Sequence, residues 1–104
     1  MESYEFLILG SNGLLGLNLV KELKKRKKVF FTIARKNSNY NLDLKNFKKL
    51  NNFFSKYKFK IVINCAAKVN IDYCEKKFNH AKLINYKMVN FLSKMSKKFD
   101  FKLV

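Results

Sequence analysis

The chain places all of its glycines in one short window. Gly10, Gly13 and Gly16 are the only three glycines among its 104 residues. They come directly after an apolar run at residues 5–9 and open a segment whose apolar residues recur at helical spacing. A glycine turn between a strand and a helix lets the backbone approach a ligand closely, and the free amides at the start of the helix attract phosphate. The window therefore predicts a phosphate-binding turn.

Strand-like and helix-like segments alternate along the whole chain. Apolar runs predict strands, and apolar side chains at helical spacing predict helices. The predicted order is a strand at 5–9, a helix from Gly13 to about Lys25, a strand at 29–33, an Asn-rich loop at 35–41, a helix from near Leu44 to Tyr57, a strand at 60–64, a long helix with an apolar stripe from Ala81 to Met95, and a strand that opens at 101–104. This alternation predicts an α/β fold: a Rossmann-type parallel sheet with helical crossovers, incomplete, in which residues 1–104 form the N-terminal part of the domain.

Each glycine has an expected role in such a fold. The first turn between strand and helix lies at the carboxyl edge of the sheet, where a diphosphate can rest on the helix start. There Gly10 would make the tight turn, Gly13 would let the backbone approach the phosphates, and Gly16 would let helix and strand pack closely. The competing interpretation is one loop glycine and two packing glycines.

The strong positive charge also has two interpretations. With 23 lysine and arginine residues against 7 aspartate and glutamate residues, the formal charge is +16. Such an excess is typical of proteins that bind nucleic acid or acidic membranes. However, the run Lys24–Lys28 falls where the first helix should end, a position that favours cations, and no aromatic residues interleave on exposed strands as in RNA-binding sheets. We therefore expect lysine-coated helices, with no nucleic-acid partner and no membrane partner.

The remaining composition indicates a cytoplasmic protein without a metal site. No apolar run approaches the roughly 18 residues that a membrane span needs, and the acidic start is unlike a signal peptide. The spacing of Cys65, Cys74 and His80 matches no zinc-ligand pattern. Cys65 is expected to be a small buried hydrophobe.

Separate motifs in the second half add a family resemblance. The strand that ends in Asn64–Ala67, the turn Ile71–Glu75 and the helical segment Ala81–Asn85 occur in that order after the G-x-x-G-x-x-G turn. This combination resembles the dTDP-4-dehydrorhamnose reductase branch of the extended short-chain dehydrogenases, over nearly the whole chain. One departure is Lys68-Val69, which is closer to GDP-fucose synthases, so the sugar nucleotide is left open.

The resemblance implies a dinucleotide cofactor, NADPH or NADH, on the glycine turn. It places the diphosphate on the backbone amides of Asn12, Gly13, Leu14 and Leu15. Core packing is the competing interpretation for the two leucines, and we expect Leu15 to serve both purposes.

The resemblance also implies roles for residues at two other strand ends and before the second helix. Arg35 would bind a 2′-phosphate, although a simple loop cation is an equal alternative. Asp43 and Leu44 would hold the adenine edge, or Asp43 would cap the following helix. Ala66 and Ala67 would leave room beside the dinucleotide.

The implied activity is reduction of a nucleotide-linked 4-keto sugar for surface polysaccharides. Tyr73 and Lys77 match the spacing of the superfamily's catalytic pair, but that pair follows the fourth strand, so we assign no catalytic residue and expect the fragment alone to be inactive.

The alternatives are a GDP-fucose synthase-like or epimerase-like enzyme, a non-catalytic binding module and, from charge, a nucleic-acid binder. The sequence does not indicate the oligomeric state.

Overall fold

The computed structural model describes residues 2–66 and 78–104 of the chain. Strands and helices follow one another as the sequence pattern predicts, except that one short strand forms inside the predicted loop at 35–41. The elements in chain order are β1 (Glu2–Leu9), α1 (Leu14–Lys25), β2 (Phe30–Ala34), β3 (Tyr40–Asn41), α2 (Phe47–Lys56), β4 (Tyr57–Asn64), α3 (Phe78–Phe99) and β5 (Lys102–Leu103). Among the described helices, none has the length and hydropathy needed to cross a membrane.

The described strands form one parallel sheet in the order β3-β2-β1-β4-β5. The chain moves from β1 outward to β2 and then returns past β1 to β4, so the direction of progression reverses beside β1. Because parallel crossovers are right-handed, this reversal puts α1 on one face of the sheet and α2 on the other. The predicted α/β class and parallel sheet with helical crossovers are thereby confirmed.

The main core lies between the sheet and the helices α2 and α3, which cover one face of the sheet. Leu7 at the centre of β1 pairs with Phe31 of β2 and Val62 of β4. Phe53 of α2 packs on this surface, with its ring centroid 5.5 Å from that of Phe31. The core also includes Leu9, Ile33, Leu42, Leu50, Phe54, Phe59, Met88, Leu92, Met95 and Phe101.

Aromatic packing extends β1 and β4 beyond the predicted strands. β1 begins at Glu2 instead of residue 5, and β4 begins at Tyr57 instead of residue 60. The two extensions pair with each other, and the ring centroid of Tyr4 lies 5.9 Å from that of Phe59. The prediction ran the second helix to Tyr57 because helical spacing of aromatic residues continues into the strand.

The second helix begins later than predicted. Asn46 is its N-cap, and the Asn46 side chain accepts a hydrogen bond from the amide of Lys49 at 3.1 Å. Asp43 instead accepts from the amide of Lys45 at 3.0 Å, within the preceding turn. The interpretation of Asp43 as the helix cap is therefore wrong, because a second short polar side chain lies nearer to the helix.

Candidate functional site

Gly10 turns the chain where β1 ends. Its φ of +77° lies in the left-handed region that L side chains rarely adopt. A Cβ here would lie 2.7 Å from the Cα of Ala66, so the backbone after β4 packs directly against the turn. The Gly10 amide donates to the carbonyl oxygen of Ile33 at 2.8 Å, and the amide of Cys65 donates to the carbonyl of Leu9 at 2.8 Å. The turn is thus held between the ends of β2 and β4, as a tight glycine turn requires.

Gly16 is a packing glycine in the first turns of α1. A Cβ at this position would overlap the carbonyl oxygen of Gly10 and lie 2.8 Å from the Cα of Ser11. The expected close packing is present, but its partner is the turn after β1 rather than the strand itself. Ser11 is 4% exposed beneath this contact. Together Gly10 and Gly16 bring the start of α1 down onto the sheet edge.

Gly13 differs from both because the space beside it is open. It is the N-cap of α1, and the nearest atom to an added Cβ is the Gly10 carbonyl oxygen at 3.7 Å. A glycine offers no side chain to cap the helix, and the first turn of α1 contains no acidic residue. The Gly13 amide itself donates to the carbonyl oxygen of Gly10 at 3.3 Å. The amides that follow it have no side-chain cap and are left for an external acceptor, and the positive end of the helix dipole favours an anion there.

Leu14 and Leu15 border this opening. Their side chains are 81% and 66% exposed. Core packing as an interpretation of these two residues is therefore wrong in the described structure. The physical reason is that Gly16 faces the turn after β1, and Leu14 and Leu15 precede it on other sides of the helix.

The loop after β2 brings cations to the same sheet edge. Arg35 follows β2 directly, its side chain is exposed, and its Nε lies 4.0 Å from Oδ2 of Asp43. An exposed pair at this distance leaves the guanidinium free to meet a second anion. The glycine turn contacts this loop through Asn12, whose Nδ2 donates to the carbonyl oxygen of Lys36.

Ser38 and Asn39 shape that loop, and the sequence reasoning missed both. Ser38 Oγ accepts from the amide of Ala34 at 3.0 Å. Asn39 Oδ1 accepts a hydrogen bond from the amide of Thr32 at 2.9 Å. The side chain thus takes the place of the carbonyl oxygen that a neighbouring strand would offer to β2 at this point. The available signal was the run of short polar side chains, which bond readily to nearby backbone.

The residues expected to hold the adenine edge follow β3, the strand next to β2 at the edge of the sheet. Asp43 is exposed and Leu44 is half-buried against the core. On the other side of the turn, Asn64 Oδ1 accepts from the amide of Ala66 at 3.0 Å and fixes the backbone that meets Gly10. Ala67, the Tyr73/Lys77 pair and Cys74 lie outside the described residues.

The Cys65 side chain, directly after β4, has the chemistry of a packing residue. It is half-buried at the end of β4, and burial raises its pKa because the thiolate is poorly solvated there. A neutral thiol is a weak nucleophile and a weak metal ligand. Cys65 is less buried than expected, and its neutral form agrees with a packing role.

The residues present fit an anionic dinucleotide at this edge. Gly13 leaves a space that a side chain would fill, no side chain caps the start of α1 beside it, and Arg35 supplies a cation on one flank. Ligands of open parallel sheets bind at the carboxyl ends of the strands, where the chain's direction of progression reverses. The turn after β1 occupies that position here.

Comparison with known proteins agrees with this geometry. Residues 4–104 match the family model described as the RmlD substrate binding domain. The chain is 33% identical over 79 residues to the spore coat polysaccharide biosynthesis protein SpsK of Bacillus subtilis (strain 168); the match covers 76% of this chain and 26% of that protein.

Solved structures give the same result. The crystal structure of a hypothetical dTDP-4-dehydrorhamnose reductase from Sulfolobus tokodaii is 30% identical, with a TM-score of 0.75, over 95% of this chain and 37% of that one. A dTDP-4-dehydrorhamnose reductase from Bacillus anthracis, in complex with NADP, is 26% identical with a TM-score of 0.79, over 99% of this chain and 35% of that one. The chain thus spans little more than a third of these relatives, and it belongs to the RmlD substrate binding domain family.

Proposed function

We propose that the protein is an NAD(P)H-dependent reductase of nucleotide-linked 4-keto sugars that serves surface polysaccharide synthesis. Residues 1–104 are its N-terminal, cofactor-binding part. The observation that carries this proposal is the open Gly13 at the uncapped start of α1, placed where the chain's progression through the sheet reverses. NADPH is the preferred cofactor, with NADH as the alternative.

Each site residue then has a part in holding the dinucleotide. The amides from Asn12 to Leu15 take the diphosphate, with Gly13 leaving the space that it needs. Arg35 binds the 2′-phosphate through its guanidinium. Asp43 and Leu44 border the adenine.

On the other side of the turn, Ala66 follows β4 and would leave room for the ring system of the cofactor. Ala67, which lies outside the described residues, would do the same through its small side chain. When bound, the reduced cofactor supplies the hydride for the sugar's carbonyl carbon. The chain's own contribution is to bind and orient that cofactor, and we assign no catalytic residue within it.

The basic charge fits this proposal without a nucleic-acid partner. Cations lie in the last turns of the helices, at Lys24 and Lys25 of α1, Lys56 of α2, and Lys97 and Lys98 of α3. Positive charge at these positions is stabilised by the helix dipole. We propose a cytoplasmic protein that does not bind DNA, and salt-sensitive retention on a DNA column at physiological ionic strength would contradict this part.

Gly13→Val tests the cofactor site without disturbing the fold. The valine Cβ meets its nearest atom at 3.7 Å, and the φ of −75° and ψ of 167° suit a β-branched residue. Calorimetric titration of the full-length protein with NADPH should show binding that Gly13→Val abolishes, because the side chain occupies the diphosphate space. Asn18→Val, at an exposed position on the same helix, is the matched control and should bind normally.

Circular dichroism separates loss of binding from loss of structure. Both valine variants should keep the wild-type spectrum and unfold at a similar temperature. Wild-type affinity for NADPH in a folded Gly13→Val variant would refute the proposed site. Failure of the wild-type protein to bind either NADPH or NADH would refute the proposed function.

A further inference from the structure

The Asn12 side chain joins the glycine turn to the loop that carries Arg35. Its Nδ2 donates a hydrogen bond to the carbonyl oxygen of Lys36. We propose that Asn12 is a positioning residue: its amide holds this loop against the turn and thereby sets the preference for NADPH over NADH. The inference rests on the proposed function, and it gives the Asn12 side chain a role separate from that of its backbone amide.

The far side of the loop is anchored independently of Asn12. Ser38 Oγ accepts from the amide of Ala34 at 3.0 Å and donates to the Asn41 Oδ1 at 2.8 Å. Asn39 is bonded to the backbone and hydroxyl of Thr32. These contacts fix the loop to β2 but do not reach the glycine turn.

The segment between these anchors carries the cations. Arg35 and Lys36 follow β2, and Asn37 has a φ of +54°, so the chain reverses sharply here. The Arg35 side chain meets only the exposed carboxylate of Asp43 among the described residues, at 4.0 Å. Such a pair holds a side chain weakly. The end of β2 is already joined to the turn, because the amides of Gly10 and Ser11 donate to the carbonyl oxygen of Ile33. Beyond that point, the bond from Asn12 to Lys36 is the contact that holds the cation-bearing segment itself against the turn.

That distance matters for one cofactor more than for the other. NADPH carries an anionic 2′-phosphate where NADH has a neutral hydroxyl, so only NADPH needs a cation at a set distance from the diphosphate. A preorganised loop binds the phosphate without paying the entropy of ordering. Without the bond, both cofactors still reach the amides of the turn, but the 2′-phosphate meets a loop that is no longer held in place.

Asn12→Ala in the full-length protein tests the role through the ratio of dissociation constants for NADPH and NADH. In this variant the preference for NADPH, measured as that ratio, should fall about three- to tenfold, which is the factor expected for one neutral hydrogen bond. NADH affinity should fall by a smaller factor than NADPH affinity. Asn12→Gln, which keeps an amide donor, should restore part of the preference. Asn18→Ala removes an exposed asparagine from α1 and should leave the ratio at the wild-type value.

Proteolysis without any cofactor provides a second measurement. Trypsin cleaves after Arg35 and Lys36, and release of the loop should accelerate cleavage there in Asn12→Ala but not in Asn18→Ala. If Asn12 had a purely structural role in the turn, Asn12→Ala would weaken the binding of both cofactors equally and leave the ratio of their dissociation constants unchanged. That result, or unchanged cleavage, overturns the inference while the proposed function stands. If the wild-type protein binds neither cofactor, the proposed function fails and the cofactor preference fails with it.

Discussion

Gly10→Ala should destabilise the fold, whereas Gly13→Ala should not. At Gly10 the φ of +77° costs an alanine about 1–2 kcal/mol. The new Cβ also lies 2.7 Å from the Cα of Ala66 and 2.9 Å from its amide nitrogen. Both are backbone atoms that cannot rotate away, and forcing an extra carbon into such a contact costs about 1–3 kcal/mol.

The unfolded chain offsets part of this loss. Alanine has less backbone freedom than glycine when unfolded, which favours folding by about 0.4–1 kcal/mol. We therefore expect Gly10→Ala to lower the free energy of unfolding by about 1–5 kcal/mol. At Gly13 the φ of −75° is ordinary and the added Cβ has its nearest neighbour at 3.7 Å. N-caps prefer glycine over alanine by about 0.5–1 kcal/mol. The entropy gain of about 0.4–1 kcal/mol offsets this loss, so the net change should stay within about 0.5 kcal/mol.

Urea unfolding followed by circular dichroism measures both variants against the wild-type protein. The two substitutions add the same methyl group three residues apart, so their difference isolates the local geometry. Equal stabilities for the two variants would show that the backbone after β4 does not pack against the turn as described. The glycine motif would then lack the division of roles that the site requires.

Three further predictions concern the cation, the core and the isolated fragment. Arg35→Ala should weaken NADPH binding by about 1.5–3 kcal/mol, the contribution of a hydrogen bond to a charged group, and leave NADH binding nearly unchanged in calorimetry; equal losses would make Arg35 a simple loop cation. Phe53 is 2% exposed at the centre of the aromatic core, so Phe53→Ala should cost about 3–5 kcal/mol in urea unfolding, and a loss below 1 kcal/mol would contradict the packing described. Residues 1–104 alone should oxidise no NADPH with 4-keto nucleotide sugars; turnover that disappears in Tyr73→Phe would make the Tyr73/Lys77 pair the active site.

The order of strands, helices and the glycine turn along the chain was predictable because it depends on local sequence pattern. Apolar runs and helical spacing identified the strands β1, β2 and β4 and the helices between them to within a few residues. The position of the glycines between β1 and α1 located the turn at the carboxyl edge, since every parallel strand that feeds a crossover helix ends at that edge. The family resemblance rested on motifs of the same local kind.

Element boundaries depended on contacts between distant residues. The sequence pattern predicts that β4 begins at residue 60, because the helical spacing of aromatic residues runs through Tyr57. Pairing of Tyr57 with Glu2 and packing of Phe59 against Tyr4 decide the strand. Both short polar residues before α2 could have capped it, and only the three-dimensional path of the turn selects Asn46 over Asp43.

The roles of individual site residues were decided only by the tertiary structure. Three glycines look alike in sequence, but the backbone after β4 closes the space at Gly10, the turn itself closes it at Gly16, and the space at Gly13 stays open. Leu15 is apolar yet exposed. The bond from Asn12 to Lys36 spans 24 residues, and no local pattern encodes it. Residue type and spacing determine which elements form, whereas the distances between elements, on which ligand binding depends, arise only when the whole sheet assembles.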